Sequence, residues 1–347
     1  KGMDTIPSES VCYPAKLAHG HIVDLIDKGI KVIFYPCVPY EQKEYHEARN
    51  HYNCPIVTSY PDVIFNNIDQ LRENGVTLLR PFLTLEDKKA FDRQMYITLK
   101  RFGITRNEIK RASRAAFAEF ERYKNDIRRK GEETLSWLKA NNKKAIVLAG
   151  RPYHVDPEIN HGLAHMINSL GFAVMTEDSI SHLGRLNRPI RVVDQWTYHT
   201  RLYQAAEYVT HSPDLELVQL NSFGCGLDAV TTDQVHEILS SCGKLYTVLK
   251  IDEISSLGTA RVRIRSLIAA INTRAEYGFA SKQTKSYRLV RKVFTKDMKN
   301  THTIIFPQMS PLHFTLLESA FHANGYNTVL LDKVTPEMDV GISEIFG

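Results

Sequence analysis

No stretch of this 347-residue sequence approaches 18 consecutive apolar residues, and its first residues lack the apolar segment of a secretion signal. That pattern predicts no membrane partner and a cytoplasmic location. Cysteines are scarce, five in all, odd in number and widely spread, so a disulfide framework is not expected. None forms a C-x-x-C pair, which argues against a zinc ribbon or a ferredoxin-type cluster, both built on tight pairs. A G-x-x-x-x-G-K-[ST] loop and a G-x-G-x-x-G after a strand are missing, so the chain carries no nucleotide fingerprint of its own. The G-x-S-x-G elbow of hydrolases is missing too. Charge of one sign is not in large excess: the net of +5 does not predict a nucleic-acid partner.

What is present is the balance of an ordinary globular protein, 43% hydrophobic and 24% charged, long enough for two or three domains. Cysteine is most informative in Ser8–His21, where Cys12 stands before a proline and an apolar helix reaching about Lys28. Pro14 suits a first helical turn and Gly29 a C-terminal stop. The Cys12 thiol is thus expected at a helix N-terminus, where unpaired amides favour an anion, with Lys16 and His19 on the same face. A metal ligand or nucleophile and a buried helix cap are both open readings of this segment.

Strand and helix patterns alternate along the chain. Lys31–Tyr35 reads as a strand ending at Cys37, Cys54–Pro61 as a second strand, Asp62–Glu73 as a helix and Thr77–Pro81 as a third strand. A helix capped by Thr84 is expected to Phe102, and the capping box Thr105–Glu108 opens another reaching Ala140, with Ile109, Ala112, Ala116, Phe120 and Tyr123 on its apolar face. Lys144–Ala149 is a buried strand, Pro157–Leu170 a helix, and further strands fall at Phe172–Met175, Leu215–Leu220 and Leu245–Ile251. A helix led by Arg261, Arg263 and Arg265 and a basic connector over Ser281–Thr295 follow, and Thr301–Leu331 begins another strand–helix–strand unit. The expected class is α/β, with two doubly wound, Rossmann-like, mainly parallel-sheet domains linked by long helices and the start of a third α/β unit. The expected boundaries are 1–83, 84–142 for a structural helical arm, 143–278, and 279–347. Both ends read as cut, as in a piece of a longer protein.

Ligands of open parallel sheets collect beyond the carboxyl ends of the strands. Cys37 and Cys225 each follow a strand, and Cys12 opens a helix on the same kind of edge. Cys54, preceding its expected strand, belongs on the opposite edge unless the loop 41–53 folds back. Cys242 reads as a plain buried thiol. Gly224 and Gly226 allow close backbone approach around Cys225. Arg151, His154 and Glu158 form a polar group at a strand end, suited to an anionic substrate or a proton relay, or to loop capping alone. Trp196, Tyr198 and His199 read as core with one satisfied histidine.

Six segments together carry a resemblance: Ser8–His21, Phe34–Cys37, Tyr52–Pro55, Gly150–Glu158, Ser222–Ala229 and Lys250–Glu253. They resemble the acyl-CoA dehydratase activase-related family, which joins ATPase activator modules to a region similar to 2-hydroxyacyl-CoA dehydratase subunits and double-cubane cluster proteins of anaerobes. The resemblance implies an iron–sulfur protein carrying a 4Fe–4S-type cluster in ATP-coupled, low-potential electron transfer. It also implies ATPase activator domains or an activator subunit as partner, and an acyl-CoA substrate. The dehydratase pattern maps to Cys12, Cys37 and Cys225. Cys54 exceeds it, either completing a fourth iron site or replacing Cys37. Whether the chain is an enzyme stays open, as a 2-hydroxyacyl-CoA dehydratase-like lyase or a reductase component. Two rival readings are a zinc-binding hydrolase or binding protein using these cysteines with His19, His21 or His154, and a scaffold with structural thiols. In the leading reading, Cys12, Cys37 and Cys225 border one crevice with Arg151 and His154 on its rim.

Overall fold

The computed structural model describes residues 1–222, 224–251, 257–279, 282, 293–307 and 310–331. Phe223, Asp252 and Glu253, most of the expected connector Ser281–Thr295, and the chain beyond Leu331 lie outside the described residues. The architecture is α/β with parallel strand pairing throughout the described ladders. Lys1–Leu289 form one compact unit and Val290–Gly347 another.

The first unit begins with α1 (Tyr13–Asp27), β1 (Val32–Phe34), β2 (Cys37–Tyr40), α2 (Pro55–Asn67), α3 (Gln70–Glu73), β3 (Thr77–Leu79) and β4 (Phe82–Thr84). β1 pairs with β3 and β2 with β4. Ile22, Val23 and Ile26 of α1 recur at helical spacing and pack on Tyr60, Ile64, Ile68 and Leu71. Residues 55–61 are helical, not extended as the sequence predicts. Pro55 fits the first turn without losing a hydrogen bond, and Tyr60 and Ile64 fall on one helical face that this core buries.

Two helices follow, α4 (Lys88–Leu99) and α5 (Arg106–Ala140). Asp87, rather than Thr84, caps α4 by accepting from the amides of Lys89 and Ala90, while Thr84 ends a strand. The capping box at Thr105 and Glu108 is present. The buried face of α5 holds Ile109, Ser113, Phe117, Gly131 and Leu138, and Ala112, Ala116 and Tyr123 are exposed. Phe117 meets Phe91 of α4 edge-on, a larger contact than any alanine could make.

The rest of the unit is β5 (Ala145–Ala149), α6 (Leu163–Ser169), β6 (Ala173–Thr176), α7 (Thr197–Thr210), β7 (Leu215–Asn221), α8 (Gly226–Ser240), β8 (Tyr246–Lys250) and α9 (Leu257–Glu276). The sheet order is β6-β5-β7-β8. Side chains of β5 alternate between two cores. Val147 and Ala149 face α7, α8 and the end of α5, and Ile146 and Leu148 face α6 and α9. Helix α6 starts later than predicted, because His161 and Gly162 both take positive φ. The second unit holds α10 (Met298–Thr301), β9 (Thr303–Pro307), α11 (Pro311–Ala323) and β10 (Asn327–Leu331), with β9 and β10 paired.

Candidate functional site

Strand β5 is followed in the chain by β6 on one side of it, and then by β7 on the other. The chain therefore reverses its direction of winding between β5 and β7, and a crevice opens beyond their carboxyl ends. Arg151 lies just past β5 and Cys225 just past β7, so both are delivered there by topology alone.

A cavity of about 610 Å³ lies at this point. Three thiols line it: Cys12, Cys54 and Cys225. Each is the N-cap residue of a helix, of α1, α2 and α8 respectively, so three positive helix ends meet around one space. Apolar walls come from Val11, Pro14, Ile56, Val57 and Leu227, with Tyr60 and Tyr153 beside them. Gly224 has φ of 71°, and a Cβ there would lie 3.4 Å from the Ser10 carbonyl oxygen, so the loop bearing Cys225 comes close to the loop bearing Cys12.

Cys54 reaches the cavity because the loop before it folds back. The Tyr52 amide donates to the Gln195 carbonyl and the Thr197 amide to that of Tyr52, while Tyr52 also bridges to Tyr40. Cys37 does not line the cavity. It is fully buried in β2, opposite Phe82 of β4, with Asp62 and Arg80 as the nearest charges. The crevice thus brings Cys54 to Cys12 and Cys225, in the place the sequence assigns to Cys37. Cys242 is buried elsewhere.

Arg151 is the buried cation of the site. Its Nε donates to Asp228 Oδ1 at 2.9 Å and its Nη2 points to Cys225 Sγ at 3.9 Å. Burial opposes its charge, but Asp228 more than offsets this and the guanidinium stays ionised. Asp228 Oδ2 also accepts from the Ser222 amide, which fixes the loop. His154 stands behind Arg151 rather than on the rim. Its Nδ1 accepts from the Arg151 amide, and burial lowers its pKa to about 3, so it is neutral. Glu158 is exposed and does not line the cavity. His199 is buried with neither ring nitrogen hydrogen-bonded, not satisfied as the sequence suggests.

Burial raises the pKa of Cys12 above the ordinary thiol value, against the lowering that its helix N-terminus predicts, and its Sγ lies 3.8 Å from the Tyr60 hydroxyl. Burial raises that of Cys225 as well. In the protein alone these are thiols, and a soft metal centre would displace their protons. His19 is engaged with Thr5 at 2.8 Å, away from the cavity. Among the described residues, no three Cys, His, Asp or Glu side chains are gathered tightly enough for a single metal ion. Zinc–sulfur bonds of about 2.3 Å would require its thiolates within about 4 Å of one another. The three thiols instead line one cavity, and thiolates are the donors that iron–sulfur centres use.

Residues 1–180 match the family model described as CoA enzyme activase uncharacterised domain (DUF2229). The chain belongs to that family. The matched segment contains Cys12, Cys54 and Arg151, and Cys225 and Asp228 lie beyond it. No curated protein matches the chain. Among the described residues, no helix of this activase-family chain is long and apolar enough to cross a membrane.

Proposed function

We propose that the chain holds a 4Fe–4S-type cluster on Cys12, Cys54 and Cys225 and serves low-potential, ATP-coupled electron transfer in a CoA enzyme activase system. The observation that carries this reading is the meeting of three cysteine helix caps on one apolar-walled cavity at a sheet switch point. Such a cluster supplies one-electron transfer at low potential.

The protein's own residues supply the setting. The helix ends and the Arg151 guanidinium offset negative charge on the thiolates. Asp228 holds Arg151 in place, and the apolar wall keeps water away. Membership in an activase family supports an ATPase activator as electron donor and an acyl-CoA dehydratase reaction as the destination. A 4Fe–4S-type cluster held by these three thiols would keep one position for a ligand that is not a cysteine of this cavity.

Anaerobic reconstitution with iron and sulfide tests the reading. The expected result is broad absorption near 400 nm, with iron and acid-labile sulfide bound in equal amounts. Cys12→Ala, Cys54→Ala and Cys225→Ala should each lose most of the iron, and Cys37→Ala and Cys242→Ala should keep it. Full iron in Cys54→Ala with loss in Cys37→Ala would return the ligand set to the one drawn from the resemblance. Zinc uptake without iron or sulfide would favour a metal-binding role of another kind.

A further inference from the structure

The thiol cavity has a polar corner that neither the sequence patterns nor the cysteine ligands explain. Tyr198 and Pro152 line it and also line a second cavity of about 220 Å³, whose other walls include Glu44, Lys124, Glu177 and Arg201. Glu41, 8% exposed, lines neither cavity but is hydrogen-bonded to residues that do. Its Oε1 accepts from the Tyr198 hydroxyl at 3.1 Å and from Asn53 Nδ2 at 3.1 Å. Both donor residues line the thiol cavity, and Asn53 Oδ1 also accepts from the Cys54 amide. The Glu41 carboxyl is therefore one hydrogen bond from the cavity by two routes.

The charges facing Glu41 come from three elements. Arg201 and Tyr198 are on α7, Lys124 is on α5, and Glu44 is on its own loop. Arg201 is already committed to Glu44 by two bonds of 2.8 and 2.6 Å, and Lys124 to Gln42 and Glu121. Burial raises the Glu41 pKa above the usual carboxyl value. A negative charge added to the cavity would raise it further.

The other buried groups respond less. Arg151 is held by Asp228 and cannot change charge. Glu177, pushed up to about 8, already carries its proton at neutral pH. Burial, and after it the charge of Arg151, opposes protonation of His154 and His199.

We propose that Glu41 is the proton-uptake site coupled to reduction in the thiol cavity, with Tyr198 as its link to that cavity. The inference rests on the iron–sulfur reading. For each electron delivered by a low-potential reductant, the Glu41 carboxylate gains one proton from water, and an O–H bond forms at the carboxylate. No net charge is then added to the interior. When the electron leaves, that O–H bond breaks and the proton leaves with it.

The test is a redox titration of the anaerobically reconstituted full chain between about pH 5 and 9, with a chemical reductant. The expected midpoint potential falls with pH, by up to one proton per electron, over the interval in which Glu41 is ionised in the oxidised protein and protonated in the reduced one. It should be flat in Glu41→Gln, and Glu41→Asp should restore the slope. Infrared difference spectra on reduction should show a protonated carboxyl band in the wild type, a readout that needs no variant, and Glu41→Gln should lack it. A slope that survives in Glu41→Gln, or a wild-type potential independent of pH, overturns the role of Glu41 and leaves the cluster reading standing. A chain that binds neither iron nor sulfide overturns both.

Discussion

Single buried ionisable residues set much of the chemistry of this protein. Glu177 is 3% exposed, and burial, followed by the charge of Asp178, pushes its pKa from 4.5 to about 8. A folded-state pKa above the unfolded one means that the fold keeps a proton which the unfolded chain has released. Stability from this group is therefore complete at low pH, declines as pH rises between about 4.5 and 8, and stops falling above that. Glu177→Gln removes the titration. The variant should gain on the wild type by up to a few kcal/mol across that window, and not below it. Urea unfolding at several pH values measures this, and a stability difference constant with pH would refute it.

At the scale of elements, helix α5 reverses an ordinary rule. Glycine inside a helix is about 1 kcal/mol less favourable than alanine, so Gly131→Ala would stabilise an isolated helix. Here a Cβ on Gly131 would collide with the carbonyl group of Ser179. Backbone on both sides leaves little room to yield, so Gly131→Ala should instead destabilise by roughly 1–3 kcal/mol. Thermal melts of that variant beside Ala115→Gly separate the two effects, and a stabilised Gly131→Ala would show that the helices can part.

The same elements show what was legible in the sequence. The capping box at Thr105 and the continuous apolar run of β5 were, because each is a local signal with one physical outcome. The start of α2 was not. Ile56-Val57-Thr58 is β-branched and reads as a strand, and the helix is set by residues further on, Tyr60 and Ile64, whose burial beside α1 needs helical spacing. Cys54-Pro55 nevertheless repeats the device of Cys12 and Pro14, a cysteine cap with proline in the first turn, and that parallel was the available clue. Three of the four candidate cysteine ligands line the cavity. Cys37 does not, because the strand carrying it pairs with β4 and turns its thiol inward. Glu41 carries no sequence motif, and Asn53 stands in Tyr52–Pro55 only as the neighbour of Cys54. Their role depends on a loop held by backbone bonds to residues 194–197, which spacing cannot reveal.

At the scale of the first unit, the cavity joins chain segments that are otherwise held by separate cores. Cys12 packs against the core around α1 and α2, Cys54 caps α2, and Cys225 lies in the loop after β7. A centre bound to all three would tie these parts together and stabilise the folded form by mass action. Anaerobic reconstitution should therefore raise the melting temperature by several degrees and slow amide exchange near Cys12 and Cys225 together. Iron chelation should reverse both changes, and protection confined to one of the two segments would argue against a shared centre.

The distance along the chain between these thiols has a consequence for biosynthesis. A ribosome delivers Cys12 and Cys54 before Cys225, and the cavity has no third wall until the loop after β7 has emerged and folded. At the usual pace of translation, roughly ten to thirty seconds separate Cys54 from Cys225. During that interval two thiols stand unpartnered on a growing chain. A metal centre bound to all three thiols would therefore be inserted only after the loop bearing Cys225 is in place, and the nascent chain's exposure to oxygen would be greatest before then.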